Sequence, residues 1–179
     1  MKLSVAAIAA GAAALLATPA FAELKIGAKA PAFTAPAYLA GQPFTFKLAD
    51  ALKKGPVVLY FFPAAYTKGC QIETHLFSEA SSQFTAEKAT IIGVTAGKTE
   101  KLADFSKDTE YCAGKFPMAA DAGAAIAKTY DATIPAVGLS SRTSYVIAKN
   151  GTIAGVYSDK DPNDHVNQTL TALKALHGK

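Results

Sequence analysis

The chain has 179 residues, half of them hydrophobic (50%), with 18 basic and 14 acidic side chains and a formal net charge of +4. That is enough apolar material for one compact core without stapling by disulfides or metals. The lysines are scattered, so the charge gives no footprint for nucleic acid or for a membrane surface.

Residues 1–22 (MKLSVAAIAAGAAALLATPAFA) place one lysine before an apolar run and end in Ala20-Phe21-Ala22. This is the layout of a secretory signal peptide cleaved near Ala22, and the run is short for a membrane span. The expected plan is a signal peptide over 1–22 and a single domain over 23–179, exported to the periplasm.

Residues 23–36 contain Pro31 and Pro36 and little periodicity, and read as an irregular lead-in. Residues 43–48 alternate Phe44 and Phe46 with polar neighbours, as a half-buried edge strand does. The continuous apolar run 57–62 (VVLYFF), closed by Pro63, suits a central strand covered on both faces. Ile72, Leu76, Phe77, Ala80 and Phe84 carry helical spacing over 68–88, and 90–94 is a second buried strand. A helix is expected over 99–111 with Cys112 at its end, then a short strand over 116–120 and a small helix capped by Asp121 and reaching Tyr130. Residues 144–148 and 152–157 flank Asn150-Gly151, a hairpin signal. Residues 163–177 form an amphipathic helix with Val166, Leu170, Leu173 and Leu176 on one face. Strands alternating with helices, then a hairpin and a helix, predict an α/β fold: a mixed central β-sheet flanked by helices, an α/β/α sandwich with a thioredoxin-like core.

Cys70 falls in the first turn of the helix that follows the central strand. Unpaired N–H groups and the positive end of the helix dipole favour the thiolate there. Around it, the Thr67 hydroxyl and the amides near Gly69 and Cys70 can hold the two oxygens of a peroxide. Pro63 covers the sulfur without offering a donor. Arg142 is the only arginine in the chain, just before a predicted strand. Its charge could serve the thiolate or merely a surface ion pair, and Glu73, one turn beyond Cys70, could orient it or stand exposed. The second cysteine, Cys112, leaves two options open: a permanent bridge, or one that opens and closes in turnover. His75, His165 and His177 lack mutual metal-ligand spacing and read as solvent-facing. No metal or cofactor is called for.

The segment Pro63-Ala-Ala-Tyr-Thr67-Lys-Gly-Cys70 matches the Pro-x-x-x-Thr-x-x-Cys signature of the peroxiredoxins, and the resemblance continues through Glu73, Phe77 and 142–153 to the final helix with His165 and Leu173. The chain looks most like the bacterioferritin-comigratory type, also called peroxiredoxin Q. The resemblance implies a thiol-dependent peroxidase for hydrogen peroxide and organic hydroperoxides, with Cys70 as the attacking cysteine. It also implies Thr67 and Arg142 as activating partners and Pro63 as shield. Many members of that type carry a resolving cysteine five residues later, where this chain has His75. Cys112 instead matches a subgroup with the resolving cysteine on the following helix, which implies an intramolecular Cys70–Cys112 disulfide. The expected partners are a peroxide and an external dithiol, either a thioredoxin-like protein or a small thiol, with the chain a monomer or weak homodimer. Lys68 stands where the family often has proline. The competing readings are an exported thiol-disulfide oxidoreductase, disfavoured because residue 73 is Glu rather than a second Cys, and a non-catalytic thioredoxin-fold domain with a structural disulfide.

Overall fold

The computed structural model describes residues 23–177. The signal-peptide expectation for 1–22 lies outside them. In chain order the elements are β1 (Thr34–Leu39), β2 (Gln42–Lys47), α1 (Leu48–Lys54), β3 (Val57–Phe61), α2 (Lys68–Glu79), α3 (Ser81–Ala86), β4 (Thr90–Thr95) and α4 (Leu102–Lys107). There follow β5 (Met118–Ala120), α5 (Ala125–Thr129), β6 (Thr133–Ile134), β7 (Leu139–Ser140), β8 (Thr143–Ile147), β9 (Ile153–Ser158) and α6 (His165–His177). Seven strands make one sheet in the order β2-β1-β5-β4-β3-β8-β9. The pairs β3–β4 and β4–β5 are parallel and the rest antiparallel, so the sheet is mixed.

Strand β3 is buried throughout, and its side chains alternate between two cores. Val57, Leu59 and Phe61 pack with α1, α5 and the Tyr130 and Tyr145 rings. Val58, Tyr60 and Phe62 pack with Phe77 of α2, Phe84 of α3, Phe105 of α4 and Leu173 of α6. Helices on both faces complete the α/β/α sandwich. Both cysteines lie in the second layer.

Several local expectations are corrected. The lead-in is not wholly irregular: Ala35 and Ala37 are buried in β1, a period-2 signal that Pro36 obscured. Proline is tolerated there because β1 pairs with β5 only at Ala37 and Tyr38, leaving Pro36 with one neighbour, Thr45 of β2. In β2 only Phe46 is buried, and Phe44 is exposed. The single helix expected over 68–88 is two, because Ala80 takes φ −83°, ψ 0° and turns the chain. Phe77 and Phe84 remain in ring contact across that break. Helix α4 stops at Lys107, so Cys112 lies in a series of turns beyond it. The cause is Asp108, whose carboxylate accepts the Glu110 N–H and offers the backbone an alternative to the helix. Asp121 caps α5 from a distance, its two oxygens accepting the N–H groups of Ile126 and Ala127 at 2.8 Å each.

Candidate active site

The loop from β3 to α2 begins at Pro63, where the carbonyl accepts the Thr95 hydroxyl of the neighbouring strand at 3.0 Å. Tyr66 takes a left-handed conformation (φ 56°), and Thr67 is then the N-cap residue of α2. The Thr67 hydroxyl does not cap the helix. It donates to the Ala64 carbonyl at 3.0 Å, which leaves its lone pairs free to accept. The first turn of α2 therefore keeps N–H groups with no side-chain partner, a site favourable to negative charge. Cys70 is the third residue of this helix and is fully buried.

Arg142, between β7 and β8, reaches across to α2. Its Nη2 lies 3.7 Å from the Cys70 Sγ, its Nη1 donates to Glu73 Oε2, and its Nε donates to the Lys160 carbonyl at 3.1 Å. Two anchors, Glu73 and the Lys160 carbonyl, thus fix the guanidinium against the sulfur. Gly69 makes this approach possible, since a Cβ there would stand 2.8 Å from Arg142 Nη2. Its place in the motif is accordingly steric as well as a matter of its amide. A groove lined by Pro63, Ile134, Ser141, Arg142 and the 158–160 turn opens beside this cluster. Arg142 both lines this groove and contacts the buried cysteine.

Glu73 is fully buried, and burial pushes its carboxyl up to about 8 against the pull of Arg142. Its Oε1 has no hydrogen-bond partner and faces His165 Nδ1 at 3.6 Å. His165 is not solvent-facing, as the sequence suggested, but fully buried. It sits on the same α6 face as Thr169 and Leu173, four and eight residues on, a helical phase visible in the sequence. Its Nδ1 bonds the Ser144 hydroxyl at 2.8 Å and its Nε2 the Asp159 carbonyl at 3.1 Å, with the Tyr157 ring edge-on. Sequence reasoning also passed over Ser144. Its signal was a hydroxyl inside a fully buried strand, which needs a partner. His75 is exposed and bonds the Glu110 carbonyl.

Cys112 occupies different surroundings. Its thiol donates to the Phe116 carbonyl at 3.2 Å, and burial pushes it up to about 11. The turns that carry it are tied to α2 and the loop before it. Ser78 donates to the Cys112 carbonyl, Lys115 to the Ser78 carbonyl, and Tyr66 to Asp108. Ala113 and Gly114 both have positive φ, at 53° and 68°. Both thiols are free.

The sequence model of the AhpC/TSA family matches residues 26–156. Chloroplast peroxiredoxin Q from Sedum lineare is 29% identical over 158 residues, covering 87% of this chain and 81% of its own. Among solved structures, peroxidoxin BcpB from Mycobacterium tuberculosis superposes with a TM-score of 0.76 at 27% identity, covering 86% of this chain and 98% of its own. The reduced 2-Cys peroxiredoxin of Plasmodium vivax does so with a TM-score of 0.75, covering 86% and 96%. At 20% identity that likeness speaks for the thioredoxin-like fold alone. Since the family match spans more than half of the chain, and relatives and structural neighbours alike are peroxiredoxins, this chain belongs to the AhpC/TSA family and is a peroxiredoxin, a thiol-dependent peroxidase.

Proposed function

We propose that the chain reduces hydrogen peroxide and organic hydroperoxides through Cys70, with Cys112 as the resolving thiol. The observation that carries this reading is the Arg142 guanidinium 3.7 Å from the Cys70 sulfur, at the uncapped start of α2. The Cys70 thiolate attacks one peroxide oxygen, the O–O bond breaks, and the departing hydroxide or alkoxide takes up a proton, leaving a sulfenic acid. Arg142 and the first N–H groups of α2 stabilise charge on the sulfur and on the breaking bond. Thr67, its own proton given to Ala64, accepts the hydrogen of the bound peroxide, and Pro63 screens the sulfur from larger thiols.

Cys112 then attacks the sulfenic sulfur, releasing water and forming the disulfide, and an external dithiol restores both thiols by exchange. A thioredoxin-like protein or a small thiol would serve. In this reading residues 1–22 direct export, and the chain works as a monomer or weak homodimer. The disulfide requires the turns around Cys112 to leave α2, since the Ser78, Lys115 and Tyr66 bonds hold them there. Stopped-flow mixing of the reduced protein with hydrogen peroxide tests the assignment. Cys70→Ser should consume no peroxide, whereas Cys112→Ser should complete one turnover and accumulate sulfenic acid. Equal loss in both variants would contradict the division of roles.

A further inference from the structure

Glu73 and His165 form a buried pair beside Arg142, and their hydrogen bonds do not close. The Asp159 carbonyl can only accept, so His165 Nε2 carries a hydrogen. With a neutral ring, Nδ1 is then an acceptor, satisfied by the Ser144 hydroxyl at 2.8 Å. An ionised Glu73 would aim the lone pairs of Oε1, buried and without a donor, at the lone pair of Nδ1. Two acceptors facing one another in an apolar interior are unfavourable.

We propose that Glu73 and His165 share one proton while Cys70 is a thiolate, making His165 a positioning residue that leaves the charge of Arg142 to the sulfur. The proton resides either on Oε1, directed at Nδ1 with the Ser144 hydroxyl turned away from that single lone pair, or on Nδ1, shared between Oε1 and the Ser144 oxygen. Both arrangements give the orphan oxygen a partner, and the proton belongs to the pair. Charge balance favours the same state. With the proton, Arg142 and the thiolate cancel and the buried cluster is neutral; without it the cluster carries a net negative charge. An ionised Glu73 would also compete with Cys70 for the guanidinium.

The groups facing the pair are few. Around Glu73 stand Arg142, Cys70 and, from β3, Tyr60. Around His165 stand the Tyr157 ring of β9, Arg142, and the carboxylates of Asp159, Asp161 and Asp164 ahead of and at the start of α6. Burial raises the Glu73 carboxyl and lowers the His165 ring, as expected of a pair holding one proton and no net charge.

The inference rests on the peroxidase reading for its kinetic consequence but not for its direct test. Carbon-13 and nitrogen-15 NMR of the reduced protein at neutral pH should show a protonated Glu73 carboxyl or a protonated His165 ring. An ionised Glu73 beside a neutral His165 would overturn the proposal whatever the activity. In the kinetics, the rate constant for peroxide should fall on the alkaline side as the pair loses its proton. Glu73→Gln reproduces the protonated carboxyl, its oxygen to Arg142 and its N–H to Nδ1. It should lose the alkaline fall while slowing the neutral-pH reaction by no more than about fivefold. A drop of about 10²-fold or more, as for a lost charge-stabilising group, would show that Arg142 needs an anion and would overturn the proposal. His165→Asn offers an amide donor to Oε1 and should move the alkaline fall lower by about one pH unit, whereas a merely structural role would leave its position unchanged. A wild-type protein no faster than a small thiol would remove the peroxidase reading and leave the NMR result to decide the shared proton.

Discussion

The two cysteines lie in the same layer of the sandwich, yet their surroundings differ in almost every respect. Cys70 is met by a permanently charged guanidinium that reaches across from between β7 and β8, and by the open N-terminus of the helix that follows β3. Cys112 is met by a backbone carbonyl, among aromatic rings, on turns held by a few hydrogen bonds. In the proposed cycle this difference sets the order of events. Charge can form where cations and donors already stand, whereas the Cys112 thiol, held up at about 11, must reach a wetter setting before it can act as a thiolate. In that cycle Cys70 reacts where it stands, whereas Cys112 waits until it moves.

Arg142→Met breaks the contrast most severely, since it leaves Cys70 almost as apolar as Cys112. The rate constant for hydrogen peroxide should fall by about 10²- to 10³-fold in stopped-flow measurements, with folding checked by circular dichroism. Gly69→Ala acts on the same contact by displacement, because the new methyl would sit 2.8 Å from Nη2. A loss of about tenfold is expected in the same assay, since misplacing a group is less costly than removing it. Asp108→Ala sharpens the other half of the comparison. It removes the Tyr66 bond and the acceptor of the Glu110 N–H, so alkylation of Cys112 in a Cys70→Ser background should speed up about threefold or more.

The smallest effect concerns stability. Glu73 is raised in the folded chain from its ordinary 4.5 to about 8. Between those values the native state keeps a proton that the unfolded chain has released, so this group's contribution falls as pH rises through that window. Subtracting the Tm of Glu73→Gln from that of the wild type should give a difference that declines from about pH 5 to about pH 8. A difference that stayed flat across that window would mean that Glu73 is already ionised in the native state.

The sheet and the motif loop were legible because each is written in neighbouring residues. The apolar run ending at Pro63, and Thr67 and Cys70 at fixed offsets beyond it, needed no distant partner to be read. What escaped was set by contacts across the chain. Pro36 hid β1 because its tolerance depends on β5 pairing only at Ala37 and Tyr38, far away in sequence. Cys112 was expected at a helix end because the competing bond from Asp108 to Glu110 cannot be weighed from periodicity. His165 looked solvent-facing as a lone titratable residue near the start of a helix. Its burial follows from Ser144 and Glu73, 21 and 92 positions away, and only the Thr169 and Leu173 phase hinted at it. Short elements without side-chain caps, such as α1, gave no signal of their own.

The reduced Cys112→Ser variant, mixed with hydrogen peroxide at neutral pH, isolates the reaction of Cys70 from everything that follows. The account predicts a second-order rate constant at least about 10³-fold above that of a small-molecule thiol, reduced by about 10²-fold or more when Arg142→Met is added. A rate no faster than the free thiol, or one indifferent to Arg142, would contradict it.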